Sequence, residues 1–246
     1  MKRILAITAH PDDEVGGFGG SLLKYRAQGA ETYVICLTAG EAATHRGHAT
    51  NDEELAEQRR GEFAAACNVL KISQGWVLDY KDGALDRENC YRVVGDLVKC
   101  IREIRPQVVL TFGPDGGATG HPDHSMASVY ATLAFHWAGR TNRFADQFWT
   151  ELKEHRAQKL YYQTTSVLLP DRQPVSPAPV SCEIDVAGYV EEKLRAFRQH
   201  HSQQQLFETF EGYLRRRPEV ELFQLAASSE LRNCALETDL FEGIKE

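Results

Sequence analysis

Along the first two-thirds of the chain, apolar residues switch between short continuous runs and helical spacing, and those switches predict the elements. Arg3–Thr8 (R-I-L-A-I-T) is an apolar run suited to a strand buried on both faces. Val15–Gly29 is helix-compatible, with Leu22, Leu23 and Tyr25 on its apolar side and Gly29 as the stop. Thr32–Thr38 reads as a second strand, followed by a polar, glycine-containing loop from Ala39 to Asn51. Asp52 is placed to cap a helix running to about Leu70, with Ala56, Phe63, Cys67 and Leu70 along one face. Trp76–Asp79 reads as a short strand, Glu88–Arg105 as a helix ended by Pro106, and Val108–Phe112 as another strand. After the loop Gly113–Gly120, a helix is expected from His121 or Pro122 to about Ala138.

Strands separated by helices of this length imply βαβ units, hence an α/β fold whose mainly parallel sheet is covered on both faces. The later part is less regular. Leu160–Leu169 and Cys182–Val186 read as strands, Pro170–Pro179 as a surface connection, and Val190 to about Leu214 as one long helix. No internal repeat or composition break divides the chain, so residues 1–246 are expected to form one domain.

Composition narrows the function classes. The 246 residues are 42% hydrophobic and 26% charged, with a formal net charge of −7, the profile of a globular protein without a basic field for nucleic acid or anionic membranes. The densest basic run, Arg215-Arg216-Arg217, reads as a solvated helix end. No stretch approaches the roughly 18 apolar residues of a membrane span. Met1-Lys2-Arg3 leads into too short an apolar run for a signal peptide. Cys36, Cys67, Cys90, Cys100, Cys182 and Cys234 are scattered without a C-x-x-C pair, so reduced thiols and a cytoplasmic location are expected.

Two motifs change the picture. His10-Pro11-Asp12-Asp13-Glu14 follows the first strand, and His121-Pro122-Asp123-His124 lies in the connection after Val108–Phe112. Both therefore fall at carboxyl ends of strands, where open parallel sheets bind ligands. Either motif alone reads equally well as a proline turn, with Asp13 or Asp123 capping the next helix. Together they offer imidazole and carboxylate donors of the kind zinc takes, and His10, Asp13 and His124 would leave a position open for water. Of the adjacent Asp12 and Asp13, one can hold metal while the other faces that water as a proton acceptor. His121, with Asp123 as a partner, is a candidate for stabilising a tetrahedral oxyanion in its protonated form.

These residues resemble the LmbE-like, or PIG-L-type, family of zinc-dependent N-acetylglucosamine de-N-acetylases. A-H-P-D-D-E (9–14) and G-H-P-D-H (120–124) look like its two signatures. T-A-G-E (38–41), R-R-G-E (59–62), the K…H-x-S-Q segment within 193–203 and D-L-F-E-G-I (239–244) are similar to weaker family features in the same order. The resemblance implies a Rossmann-like three-layer α/β sandwich and one catalytic Zn²⁺ held by His10, Asp13 and His124. It further implies Asp12 as general base, His121 as oxyanion stabiliser, and Asp123 orienting or tuning His121. Arg59 is similar to an arginine of the substrate site, with Arg60 as its neighbouring rival. Glu41 is expected at the pocket rim, and Glu14 as a hydrogen-bond acceptor behind the ligands. His45 and His48 read as part of a solvated or substrate-contacting loop, and His200 matches the family histidine better than His201.

The expected reaction is hydrolysis of the N-acetyl group of an N-acetylglucosamine-type amino sugar or conjugate, with Asp12 or His121 protonating the departing amine. Loops 113–120, 139–158 and 170–181 are where substrates would be distinguished, and the resemblance is compatible with homo-oligomerisation. A catalytically inactive metal-binding or regulatory protein of the same fold is the alternative. Nucleotide binding is a weaker one: Gly16-Gly17-Phe18-Gly19-Gly20 fits neither the G-x-G-x-x-G nor the phosphate-loop pattern. Those glycines are better suited to close helix–sheet packing.

Overall fold

The computed structural model describes residues 1–165, 176–216, 220–231 and 235–245. Its strands are β1 (Arg3–Thr8), β2 (Glu31–Thr38), β3 (Gln74–Tyr80), β4 (Val108–Phe112), β5 (Lys159–Thr164), β6 (Cys182–Asp185) and β7 (Val220–Ser228). They form one sheet in the order β3-β2-β1-β4-β5-β7-β6. The pairings from β3 through β5 are parallel, and β7 runs antiparallel to both β5 and β6. The expected mainly parallel α/β architecture, with helices on both sides, is what the chain adopts.

The helices are α1 (Asp13–Gly16), α2 (Gly19–Ala27), α3 (Asp52–Val69), α4 (Cys90–Ile104), α5 (Pro122–Ala138), α6 (Val190–Phe197) and α7 (Phe207–Arg216). α4 packs on α5, while α2 and α3 pack against α6. The central strands feel both layers: β4 is buried at all five positions, as its unbroken V-V-L-T-F run requires. β1 sits between β2 and β4, and the chain leaves β1 towards β2 but leaves β4 towards β5. Their carboxyl ends thus flank a topological switch point, the place where such sheets form a ligand crevice.

Several boundaries depart from the sequence expectation for tertiary reasons. The expected helix Val15–Gly29 is broken into α1 and α2, because Phe18 turns fully into the core. Gly20 sits so close to the strand layer that a Cβ would come within 2.8 Å of Val186, the close packing expected of this glycine cluster. Asn51, not Asp52, caps α3, its side chain accepting the Glu54 N–H at 2.9 Å. On that helix Leu55 rather than Ala56 joins Phe63 and Cys67 in the core.

The expected helix Val190–Leu214 is also broken. α6 stops at Phe197, His201–Leu206 forms 3₁₀ turns, and Gln203 leaves helical geometry (φ −104°, ψ 19°). The break turns His200, Ser202 and Gln203 inward, where Ser202 N–H and hydroxyl donate to Glu62 at 2.8 and 2.7 Å. β5 ends at Thr164, and Ser166–Leu169 of the expected strand lie outside the described residues, as do Pro170, Pro174, Arg217 and Cys234. Cys36, Cys67 and Cys182 are buried, Cys100 half-buried and Cys90 exposed, all as free thiols. Among the described residues no helix is long and apolar enough to cross a membrane.

The D-L-F-E-G-I segment closes the fold. Asp239 accepts the Tyr25 hydroxyl at 2.8 Å, that hydroxyl accepts the Leu240 N–H at 2.7 Å, and Leu240 and Phe241 are buried.

Candidate metal centre and its cleft

Asp13 is the hub of the site. It opens α1 directly after β1, and its Oδ2 accepts the backbone N–H groups of His10 (2.8 Å) and Ala9 (3.2 Å). The same Oδ2 lies 3.5 Å from His10 Nδ1, and Oδ1 lies 3.1 Å from His124 Nε2. Burial opposes its charge, yet His124 and His10 together hold its carboxyl well below the usual carboxylate range.

The far nitrogens of both imidazoles are committed elsewhere. His10 Nε2 faces Asp82 Oδ1 at 2.9 Å and Asp123 Oδ2 at 3.3 Å. His124 Nδ1 faces the Gly116 carbonyl at 3.1 Å, and its ring stacks on Phe112 with centroids 4.1 Å apart. Nitrogens that face a carbonyl or carboxylate carry protons: burial opposes the His10 charge, yet Asp123, Asp13 and Asp82 hold that imidazole well above its usual range in the metal-free protein. His10 Nδ1 and His124 Nε2 both point at the Asp13 carboxylate, and these inward-facing nitrogens are the ones a metal ion could take in place of a proton. An ionised carboxylate flanked by two imidazoles at these distances is a nitrogen–oxygen donor set suited to a divalent cation.

Among the described residues, two groups have ligand atoms mutually within 4.8 Å: His10 with His121 and His124, and His10 with Asp82 and Asp123. The second differs in chemistry. Asp82 Oδ2 accepts the Ala42 N–H at 2.9 Å, while Asp123 accepts Gly83 N–H at 2.7 Å and Leu85 N–H at 3.2 Å. Carboxylates tied to backbone donors in this way are suited to orienting His10 from behind. His45 and His48 belong to neither group.

Asp12 stands beside Asp13 with φ 113° and ψ −27°, a region that L residues seldom adopt. Its N–H donates to Glu14 Oε2 at 2.9 Å, and Glu14, fully buried, meets His200 Nε2 at 2.8 Å through Oε1. Arg59 donates to Asp12 Oδ2 at 3.2 Å, to the Gly40 carbonyl at 2.9 Å and to the Pro11 carbonyl. Burial, reinforced by Asp13 and opposed by Arg59, pushes the Asp12 carboxyl up to about 6.

Arg59 is thus 3% exposed and holds the strained turn from behind. The expected arginine of the substrate site is spent on Asp12, Pro11 and Gly40, and Gly40 must lack a side chain, since a Cβ there would lie 2.5 Å from the guanidinium. Arg60 faces elsewhere, onto the Val77 carbonyl at 2.7 Å and Asp79 at 2.6 Å. Glu41 supports the neighbouring loop: its Oε1 accepts the Asp82 N–H at 2.9 Å. Neither Arg59 nor Glu41 lines the cavity beside Asp12.

His121 caps α5, its Nδ1 accepting the Asp123 N–H at 3.1 Å. The expected side-chain partnership with Asp123 is replaced by this backbone contact, because the Asp123 carboxylate is turned to Gly83, Leu85 and His10. Burial, with His10 and His124 nearby, lowers the His121 pKa, which favours the neutral ring over the expected protonated form; with Nδ1 accepting, that ring carries its proton on Nε2.

Asp82 is the residue that sequence reasoning missed. It follows β3 in K-D-G, at the carboxyl edge shared with His10, but no histidine lies beside it in sequence.

A switch-point cleft built on these two motifs defines a class. The chain belongs to the PIG-L family (GlcNAc-PI de-N-acetylase), whose model matches residues 5–135 and so includes both motifs. It is similar to a 1D-myo-inositol 2-acetamido-2-deoxy-alpha-D-glucopyranoside deacetylase of a Nocardioides species, 30% identical over 99% of each chain. It is also similar to the diacetylchitobiose deacetylase of Thermococcus kodakarensis, 30% identical over 87% of this chain and 76% of that one. Among solved structures, the N,N'-diacetylchitobiose deacetylase from Pyrococcus horikoshii superposes with a TM-score of 0.78 at 24% identity, covering 91% of this chain and 83% of that one.

Proposed function

We propose that this chain, folded as one domain, is a zinc-dependent hydrolase that removes the N-acetyl group from an N-acetylglucosamine-type amino sugar or conjugate. The observation that carries this reading is the convergence of His10 Nδ1 and His124 Nε2 on the Asp13 carboxylate, with Asp12 lining the same cavity. The names of the curated relatives support the substrate class.

His10 Nδ1, Asp13 and His124 Nε2 would hold the ion, a nitrogen–oxygen set typical of catalytic zinc. Bound there, zinc would supply positive charge that makes water acidic near neutral pH and polarises the amide carbonyl. Asp12, in its ionised form, accepts the proton of the attacking water. Arg59 and Glu14 keep Asp12 in the one backbone conformation that turns its carboxylate outward. His121 Nε2–H donates to the oxygen that gains charge during attack. The C–N bond then breaks as the nitrogen takes a proton from Asp12, which received it from water, or from His121, and acetate and a free amine leave.

The direct test is a panel of N-acetylated amino sugars assayed for equimolar acetate and amine. Release from at least one member is expected; a folded, zinc-loaded protein that releases neither from any member rules the activity out.

The carboxylates behind His10 give a further expectation. Asp82→Ala should weaken zinc binding by about 10- to 100-fold, the usual effect of losing a partner of a metal-bound histidine. Competition with a chromophoric chelator measures this. An unchanged affinity would show that Asp82 does not orient the ligand.

A further inference from the structure

The cavity beside Asp12 is larger than an acetyl group requires. It encloses about 340 Å³, space for about ten waters at roughly 30 Å³ each. Asp12, Asp13 and His124 line it, so it is continuous with the candidate metal centre. Much of the rest of its lining is apolar and comes from α6, α7 and the start of β7. Phe210 of α7 stacks on Phe197 of α6 with centroids 3.9 Å apart, and Leu206, Leu214, Val220 and Leu222 continue the wall.

The apolar side of α7 is only partly covered: Phe207 and Phe210 pack against the small core around Leu70, Ala196 and Phe197, and the rest of that side faces the cavity. Phe210, Tyr213 and Leu214 are only half-buried, and Leu206 just before the helix is 38% exposed. The opposite side is polar: Glu211 pairs with Arg198 at 2.7 Å and with Arg215 at 2.8 Å. On β7 the alternation is equally direct. Glu221 and Phe223 are buried, while Val220 and Leu222 are half-buried, and it is the latter pair whose apolar side chains line the cavity.

Charge in this part of the wall is already engaged. Lys193 Nζ and Glu221 Oε1 are 2.6 Å apart, and Glu221 also accepts the N–H groups of Gly20 (2.9 Å) and Ser21 (2.8 Å). That carboxylate occupies the N-terminus of α2, where a nucleotide phosphate would otherwise bind. A ligand group seated here meets methyls and rings.

We propose that the substrate carries a neutral apolar group, an alkyl chain or aromatic ring, attached close to the scissile amide and seated against α7 and the start of β7. The proposal rests on the amide-hydrolase reading and names its substrate class. The apolar group belongs either to the acyl side or to the aglycone of the amino sugar, and the test separates these sources.

Amine release is compared for N-acetylglucosamine, N-octanoylglucosamine and hexyl N-acetyl-β-glucosaminide. Calorimetry compares hexyl glucoside with methyl glucoside, which reads the cavity without turnover. One apolar substrate should exceed N-acetylglucosamine in kcat/KM by at least tenfold, since each buried methylene is worth about fourfold. The octanoyl compound gains if the acyl side occupies the cavity, the hexyl glycoside if the aglycone does. Hexyl glucoside should bind at least tenfold more tightly than methyl glucoside, and Leu206→Asp, a change at a partly exposed site, should remove most of that difference. Equal kcat/KM for all three substrates together with equal binding of the two glucosides overturns the proposal and leaves amide hydrolysis standing. Selective binding of hexyl glucoside without amine release from any substrate upholds the cavity and overturns the hydrolase reading.

Discussion

Asp12→Asn should lower kcat for amine release by about 10²–10⁴-fold, the range for losing a positioned general base, with zinc content unchanged. The substitution is chosen for its backbone. Asp12 has φ 113°, and asparagine is among the residues that tolerate positive φ best. An asparagine oxygen can still accept from Arg59, and the residue-12 N–H still donates to Glu14. What is lost is the negative charge that takes the proton from water. Steady-state kinetics beside metal analysis check this, and a variant with full zinc and undiminished kcat would show that the base is another group.

Asp13→Asn should abolish stoichiometric zinc binding and leave the metal-free protein less stable than the metal-free parent, because the carboxylate that His124 and His10 hold ionised is lost. The asparagine oxygen can keep the N–H groups of Ala9 and His10, so no backbone donor is orphaned. What the amide cannot reproduce is the charge that pairs with His124 Nε2 at 3.1 Å. The anionic ligand is gone, so the loss of affinity should exceed the 10- to 100-fold expected behind His10. Thermal denaturation with and without zinc reads both effects: the parent rises on adding zinc and the variant does not. A variant stabilised by zinc as much as the parent would remove Asp13 from the ligand set.

What could be read from the chain was what is local. The motifs at 10–14 and 121–124 carry their own spacing, and unbroken apolar runs mark β1 and β4, so the switch-point cleft was foreseeable. Asp82 was not, because it reaches His10 only through the register that lays β3 beside β2 and β2 beside β1. An aspartate before glycine at the end of a strand on the same edge was the available signal. Arg59 looked like a substrate residue from its motif, but the packing of α3 turns it onto Pro11 and Gly40 instead. The helical spacing over 190–214 runs on through His200, whose contact with Glu14, far away in sequence, breaks the helix. Periodicity records which residues avoid water, and a polar residue buried against a distant polar partner escapes it.

A single zinc ion is expected to make this chain an amide hydrolase. Metal-stripped protein titrated with zinc while amine release from its best N-acetylated amino sugar is followed tests this most directly. The rate should start near zero, rise in proportion to added zinc and level off at one ion per chain. A metal-free protein as active as the loaded one, or no amine at any zinc level, would contradict it.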